Sequence, residues 1–312
     1  MAAPTPEVLS PDNDAEPRGG AAPVVREPAP AKVNLYLHVT NKFPSGYHGI
    51  DSLVVFTRLG DTVEISPAAP GAGIRLIVDG PFADDLGDAV DNLVFRAAAT
   101  LAERTGIGDG VDIRLTKRLP VASGIGGGSA DAAAVIRALA RLWDLGGAPD
   151  LLFEVALGLG ADVPMCLGSV ARKVCQVSGI GDEIAPAPPL PACHLVLVNP
   201  GGAVATPAVF SARDGAFSKP MPIENPAADA AALAEALKQR GNDLTAPAEG
   251  LLPAIGTVLA ELGGARECLL ARMSGSGATC FGLFATPADA ETAAGRLRDT
   301  HPDWWVRATA VL

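Results

Sequence analysis

The chain has 312 residues, 48% of them hydrophobic, and a formal net charge of −11 at pH 7. That length and apolar content suffice for a large core divided over two domains. The acidic balance argues against a general nucleic-acid binder, which needs a basic face, and no apolar run reaches the roughly 18 residues that span a bilayer.

Residues 1–28 are dominated by Pro, Ala, Asp and Glu without hydrophobic periodicity, and read as a disordered tail. The tail has neither the apolar core of a signal peptide nor the composition of a transit sequence, so a cytoplasmic protein is expected. Order is expected from about Pro30. Residues 31–39 alternate, with Val33, Leu35, Leu37 and Val39 on one face and Lys32, Asn34 and Tyr36 on the other, predicting a half-buried strand. Residues 44–46 form a loop, 51–57 and 61–66 a strand pair, and 74–79 a further strand. A helix is predicted over 92–104, capped by Asp91 or Asn92 and stopped by Gly106. Residues 111–117 read as a strand, 129–143 and 150–159 as helices.

The second half reads as an α+β unit. Strands are predicted at 171–177 and 194–199, with a Pro-rich loop at 186–191 between them. Asn225 and Pro226 open a helix that ends near Gly241, and 251–262 form another, stopped by Gly263 and Gly264. Strands at 268–273 and 279–284 flank the turn Ser274-Gly-Ser-Gly277. Thr286 and Pro287 cap a last helix to about 300, and 304–311 close as a strand. This order suggests two strand–helix–strand halves sharing one sheet.

The most informative stretch runs from Leu119 to Leu139. Gly124, Gly126, Gly127 and Gly128 lead into Ser129 and an alanine-rich helix. Glycines permit close approach to the backbone, and the helix that follows offers unpaired N–H groups and the positive end of its dipole. Together these make an anion site, best suited to nucleotide phosphates. No Lys-Ser/Thr follows the glycines, so this is not a Walker A loop. The compressed glycine spacing and the missing acidic residue about 20 positions later also fit a dinucleotide fingerprint poorly. A tight turn with no ligand is the alternative.

A phosphate loop without its own lysine needs a cation from elsewhere, and Lys32, beside Asn34, is the candidate; an ordinary surface lysine is the plainer reading. Asp162 stands among apolar residues at a helix end, where a carboxylate is either paired or functional, or else simply caps a turn. A lysine and an aspartate beside a phosphate loop suit phosphoryl transfer. Tyr47 and His48, after Gly46, can stack on and hydrogen-bond a planar base, although a surface loop would look the same. The turn within 273–278 is either a plain hairpin or a substrate-lining loop. Five cysteines (Cys166, Cys175, Cys193, Cys268 and Cys280) are odd in number and lack a CxxC pair, which predicts buried thiols in a reducing compartment.

In order and spacing, these segments resemble the GHMP small-molecule kinases, over about residues 29–312. The resemblance implies an α+β GHMP kinase fold: an N-terminal ATP-binding domain like ribosomal protein S5 domain 2 (29–170) and a ferredoxin-like C-terminal substrate domain (171–312). It implies ATP and Mg²⁺ as cofactors and Lys32 and Asp162 as the catalytic pair. The ATP phosphates would lie on Pro120, Val121, Ala122, Ser123, Gly124, Ile125, Gly126, Gly127, Gly128, Ser129 and Ala130. Gly46, Tyr47 and His48, with the opening around Lys32, narrow the resemblance to kinases whose small-molecule substrate is a cytidine diphosphate-linked methylerythritol. There Tyr47 and His48 would hold the cytosine, and Asn34, Thr206, Asn242 and Asp243 would contact the substrate. Transfer of the γ-phosphoryl group of ATP to the 2-hydroxyl, in the methylerythritol phosphate route to isoprenoids, is the implied reaction. Some relatives carry a second aromatic seven residues after the tyrosine, where this chain has Val54. No metal ligand is identified, no nucleic-acid or membrane partner is expected, and monomer and homodimer stay open. Another GHMP kinase, acting on homoserine or mevalonate, and a non-catalytic metabolite sensor of the same fold are the competing readings.

Overall fold

The computed structural model describes residues 23–69, 71–86, 92–169 and 173–312. Residues 1–22 of the expected tail, the alternative cap Asp91, and residues 171–172 at the start of an expected strand lie outside the described residues. By packing, the chain forms two units, each discontinuous in sequence. One takes the chain up to Pro30, Gly60–Val121 and Gly127–Gly168; the other takes Ala31–Leu59, Ala122–Gly126 and Ser169–Leu312. The sequence alone suggests a single boundary near 170. The interleaving arises because two long strands, β1 (Val25–Lys42) and β2 (His48–Pro67), each pass from one unit to the other.

Order begins at Val25, earlier than expected. Glu27 is buried, and its carboxylate pairs with Arg137 at 2.9 Å and Arg141 at 2.5 Å, so the charge that makes this stretch resemble a tail is what fastens it. β1 is also buried on both faces, not one: Lys32, Asn34 and Tyr36 are as enclosed as their apolar neighbours. The expected pair at 51–57 and 61–66 is one continuous strand, β2. Gly60 in its middle is a matter of space, because a Cβ there would stand 2.3 Å from the Ala29 carbonyl oxygen and 2.7 Å from Pro30 Cα.

In the first unit, β3 (Ile74–Asp79) runs parallel to β4 (Val111–Thr116), and β4 is antiparallel to residues 62–67 of β2. Four helices belong with them: α1 (Leu93–Thr105), α2 (Gly127–Leu142), α3 (Pro149–Leu159) and the short α4 (Val163–Leu167). α1 starts where the Asn92 side chain accepts the Val94 N–H at 2.9 Å and stops at Gly106, in the left-handed region at φ 69°. α2 is buried on nearly all sides, with Val135, Ile136 and Leu139 among alanines. Its small side chains let α1 and α4 pack closely against it.

In the second unit, β5 (Val174–Ser178) pairs antiparallel with residues 52–55 of β2 and with β6 (Glu183–Pro186). A four-stranded sheet follows, built from β7 (His194–Asn199), β8 (Leu270–Met273), β9 (Cys280–Phe284) and β10 (Trp305–Ala310) in the order β10-β7-β9-β8. Every neighbouring pair in it is antiparallel. Helices α5 (Thr206–Ala212), α6 (Ala230–Lys238), α7 (Thr245–Leu251) and α8 (Ala254–Gly263) lie between β7 and β8, and α9 (Pro287–Thr300) between β9 and β10. This is the ferredoxin-like arrangement anticipated. α9 begins as its sequence predicts, with Thr286 accepting the Asp289 N–H. Two other helices depart from expectation. α6 is capped by Asp229, not by Asn225, and the stretch 251–262 is broken at Pro253, which α8 uses as its cap. Leu37 and Val39 of β1 join Val196, Val198, Ile255, Val258, Phe284 and Leu297 in the core of this unit. Arg272 pins it internally, donating to the carbonyls of Leu35 (2.7 Å), Leu237 (2.9 Å) and Arg240 (2.6 Å). Cys166, Cys175, Cys193 and Cys280 are buried and Cys268 is half-buried, with no disulfide among the described residues.

Gly60→Ala is expected to lower stability by about 1–3 kcal/mol, the usual cost of overpacking. A urea unfolding midpoint unchanged from the parent would contradict the close β1–β2 approach at this point.

Candidate active site

Lys32 sits in β1 at 7% exposure, and its backbone N–H donates to the Ile125 carbonyl at 2.9 Å. Gly126 adopts φ 65°, and a Cβ there would lie 3.2 Å from Lys32 Cβ, 3.5 Å from Cδ and 3.6 Å from Cε. The lysine stem therefore runs along the glycine loop. Gly124, at φ 75°, is the tighter point: a Cβ there would meet the carbonyl oxygens of Gly277 at 2.6 Å and Ser274 at 2.7 Å. The loop and the 274–277 turn thus pack main chain to main chain.

Hydrogen bonds hold that packing. Ser274 Oγ accepts the Asn34 N–H at 3.1 Å and donates to the Gly124 carbonyl at 3.1 Å. The Thr279 N–H donates to the Ser123 carbonyl at 3.1 Å. Asn242 Nδ2 donates to the carbonyls of Met273 and Gly275, both at 2.8 Å, and Thr206 Oγ1 pairs with Ser276 Oγ at 2.7 Å. Asp243 lies further along, accepting the Val39 N–H at 2.7 Å and donating its own N–H to Leu37. The polar groups of Asn242 and Asp243 thus brace the turn and β1.

Asn34 differs. Ser52 Oγ donates to the Tyr36 carbonyl at 2.5 Å and so must accept from Asn34 Nδ2 at 2.7 Å, which fixes the amide orientation. Asn34 Oδ1 is then a buried acceptor with no hydrogen-bond partner among the described residues, and it lies 3.4 Å from where a Cβ on Gly275 would stand.

In the other unit, α2 begins at Gly127. Asp162 occupies the N-cap position of α4, yet its side chain makes no capping hydrogen bond. Beneath the first turn of α2 lies a cluster that the sequence reading missed. The Lys117 ammonium, at 2% exposure, bonds to Asp61 and, at 2.7 Å, to Asp131. The available clue was Asp131, a lone carboxylate within a run of alanines.

Tyr47 is 64% exposed at the tip between β1 and β2. The ring of His48 stacks on Phe210 of α5, with centroids 5.0 Å apart and planes 18° apart. Val54 is buried within the β2–β5 pairing and offers no surface to a base; the aromatic surface next to His48 is Phe210. The Thr206-Pro207 pair that opens α5 is a readable helix start that the sequence reading passed over.

A glycine loop that runs into a helix start, a strand lysine laid along it and a ferredoxin-like sheet are the features of a GHMP-class kinase. Matches to the GHMP kinase N-terminal domain over residues 92–169 and to the GHMP kinase C-terminal domain over 224–303 agree, and the chain belongs to this family of ATP-dependent phosphotransferases. Among its relatives is a 4-diphosphocytidyl-2-C-methyl-D-erythritol kinase from Paramagnetospirillum magneticum, 52% identical over 91% of this chain and 97% of its own. One of the same name from Rhodospirillum rubrum is 51% identical over 94% of each. A crystal structure of a 4-(cytidine 5′-diphospho)-2C-methyl-D-erythritol kinase superposes with a TM-score of 0.75, at 34% identity over 92% of this chain and 99% of that one. A homoserine kinase from Cytophaga hutchinsonii (TM-score 0.68, 17% identity, 96% of this chain and 98% of that one) shares the fold alone.

Burial, with Lys42 and Arg213 nearby, pushes the His48 imidazole below its ordinary value of 6.5, so the ring is neutral at pH 7. NMR titration of its ring protons is expected to give a midpoint under 6.5; a midpoint above it would contradict this environment.

Proposed function

We propose that the protein transfers the γ-phosphoryl group of ATP to the 2-hydroxyl of 4-diphosphocytidyl-2-C-methyl-D-erythritol, in the methylerythritol phosphate route to isoprenoid precursors. The Lys32 stem laid along Gly126 is the observation in this molecule that carries the reading, and relatives of about 50% identity bear the name of that activity.

Residues 120–130 would cradle the triphosphate, with glycine N–H groups and the start of α2 directed at phosphate oxygens. Asp162 would accept the proton of the 2-hydroxyl as its oxygen attacks the γ-phosphorus. The new O–P bond forms as the bond to the β–γ bridging oxygen breaks and ADP leaves. Lys32 would offset the charge that develops on the transferring group. Asn34 Oδ1, a buried acceptor in want of a donor, would take a hydroxyl of the erythritol unit, and Thr206 would line the same side. Tyr47 and His48 would hold the cytosine. Asn242 and Asp243 would act by bracing the turn and β1.

Among the described residues no group of three or more His, Cys, Asp or Glu is arranged to hold a metal ion. Mg²⁺ keeps most of its waters and is bound through substrate phosphates with few protein ligands. When bound, it would neutralise phosphate charge. No helix among the described residues is long and apolar enough to cross a membrane.

Incubation with ATP, Mg²⁺ and the cytidyl substrate is expected to release ADP; activity on mevalonate or homoserine instead, or on none of the three, would overturn the assignment. Asp162→Asn is expected to reduce turnover by about 10²–10⁴-fold while nucleotide binding persists. Lost ATP affinity in that variant would mean that the residue serves the nucleotide. Tyr47→Ala is expected to raise KM for the cytidyl substrate by about five- to a hundredfold and to leave that for ATP nearly unchanged, as steady-state kinetics would show.

A further inference from the structure

We propose that Lys117, held between Asp61 and Asp131, is a positioning residue for ATP, fixing the first turn of α2 so that its N–H groups face the triphosphate. The proposal rests on the reading that residues 120–130 bind the phosphates of ATP.

The three side chains come from β2, from the residue after β4, and from α2, and each is at most 2% exposed. Asp61 does more than pair with the lysine. Its Oδ1 accepts the N–H groups of Arg118 (2.5 Å) and Leu119 (2.8 Å), and so shapes the chain that leads into Pro120. Asp131 ties the other end, one turn into α2. Between them the ammonium lies directly under Gly127, where a Cβ would stand 3.1 Å from Nζ. That contact gives this glycine a task of its own: it makes room for a buried cation.

An ion cluster this deep is a poor route to stability, since well-packed apolar side chains of similar volume do as well or better. Its geometry instead specifies one conformation for a short stretch of main chain. The charges suit the same purpose. A cation under a helix start opposes the dipole, and the two carboxylates offset it. Burial drives Asp131 up to about 8, with Lys117 pulling it down and Asp61 pushing it up. Asp131 Oδ1 is buried without a hydrogen-bond partner among the described residues, so Lys117 is the group that holds this carboxyl in place.

Two variants test this: Asp131→Asn, which keeps the Lys117–Asp61 pair, and Lys117→Met/Asp131→Asn, which removes one charge of each sign. The measurements are calorimetric binding of a non-hydrolysable ATP analogue, KM for the cytidyl substrate, and thermal melting. In whichever variant folds, the analogue's Kd is expected to rise by about tenfold or more, with the acceptor KM within about twofold of the parent. An unchanged Kd in a folded variant would overturn the proposal. So would a parallel rise in Kd and acceptor KM, the mark of a merely structural role. Gly128→Asp, at an exposed position with room for a side chain, separates the proposal from the reading beneath it. Unchanged analogue binding there would remove the loop's assignment to ATP, and the proposal with it. Lost binding there, beside parental binding in Asp131→Asn, would remove the proposal alone.

Discussion

Gly124 brings the glycine loop against the carbonyls of Ser274 and Gly277 at a separation that no side chain would permit. Much of the second unit's site follows from this contact. Once the two main chains touch, Ser274 Oγ can bridge Asn34 and Gly124. Thr279 can reach Ser123, and the Lys32 backbone can pair with Ile125. The lysine stem then has only one course, along the face that Gly126 leaves bare. A single methyl group at either glycine would push apart segments some 90 to 150 residues distant in the chain, and the chemistry would lose its geometry before it lost a functional group.

The chain is acidic overall, yet its chemistry calls for holding a polyanion. The resolution is local. Main-chain N–H groups at a helix start can supply a fixed positive field over a few ångströms, and Lys32 is set within the fold instead of on its surface, its stem against the loop. The charge of Lys117, by contrast, is offset by the two carboxylates that seal it under α2. Net charge, a property of the whole chain, says nothing about so small a region.

Much of the architecture could be read from local chemistry. Asn92 and Gly106 bound α1, and Thr286 with Pro287 opens α9, because caps act within a single turn of chain. The order of strands and helices after residue 190 pointed to two strand–helix–strand halves sharing one sheet, as observed, because a strand–helix–strand unit returns the chain to the sheet it left. Errors arose where tertiary burial overrides composition. Glu27 and two prolines make the first strand look like tail until Arg137 and Arg141 are brought to it from α2. Pro253, by contrast, was a visible break between α7 and α8, as was the Thr-Pro pair at the start of α5.

The sequence by itself determined that a glycine loop runs into an alanine-rich helix and that the loop lacks a lysine, and it offered Lys32, Asp162, Tyr47 and His48 as candidates for the site. These are properties of residue type and short spacing. Tertiary structure alone decided that Lys32 lies along Gly126, that Phe210 supplies an aromatic surface beside His48 while Val54 is buried, and that Asp61, Lys117 and Asp131 form one buried cluster. Each of these joins residues far apart in the chain, and such contacts depend on how strands and helices stack, which no local pattern encodes.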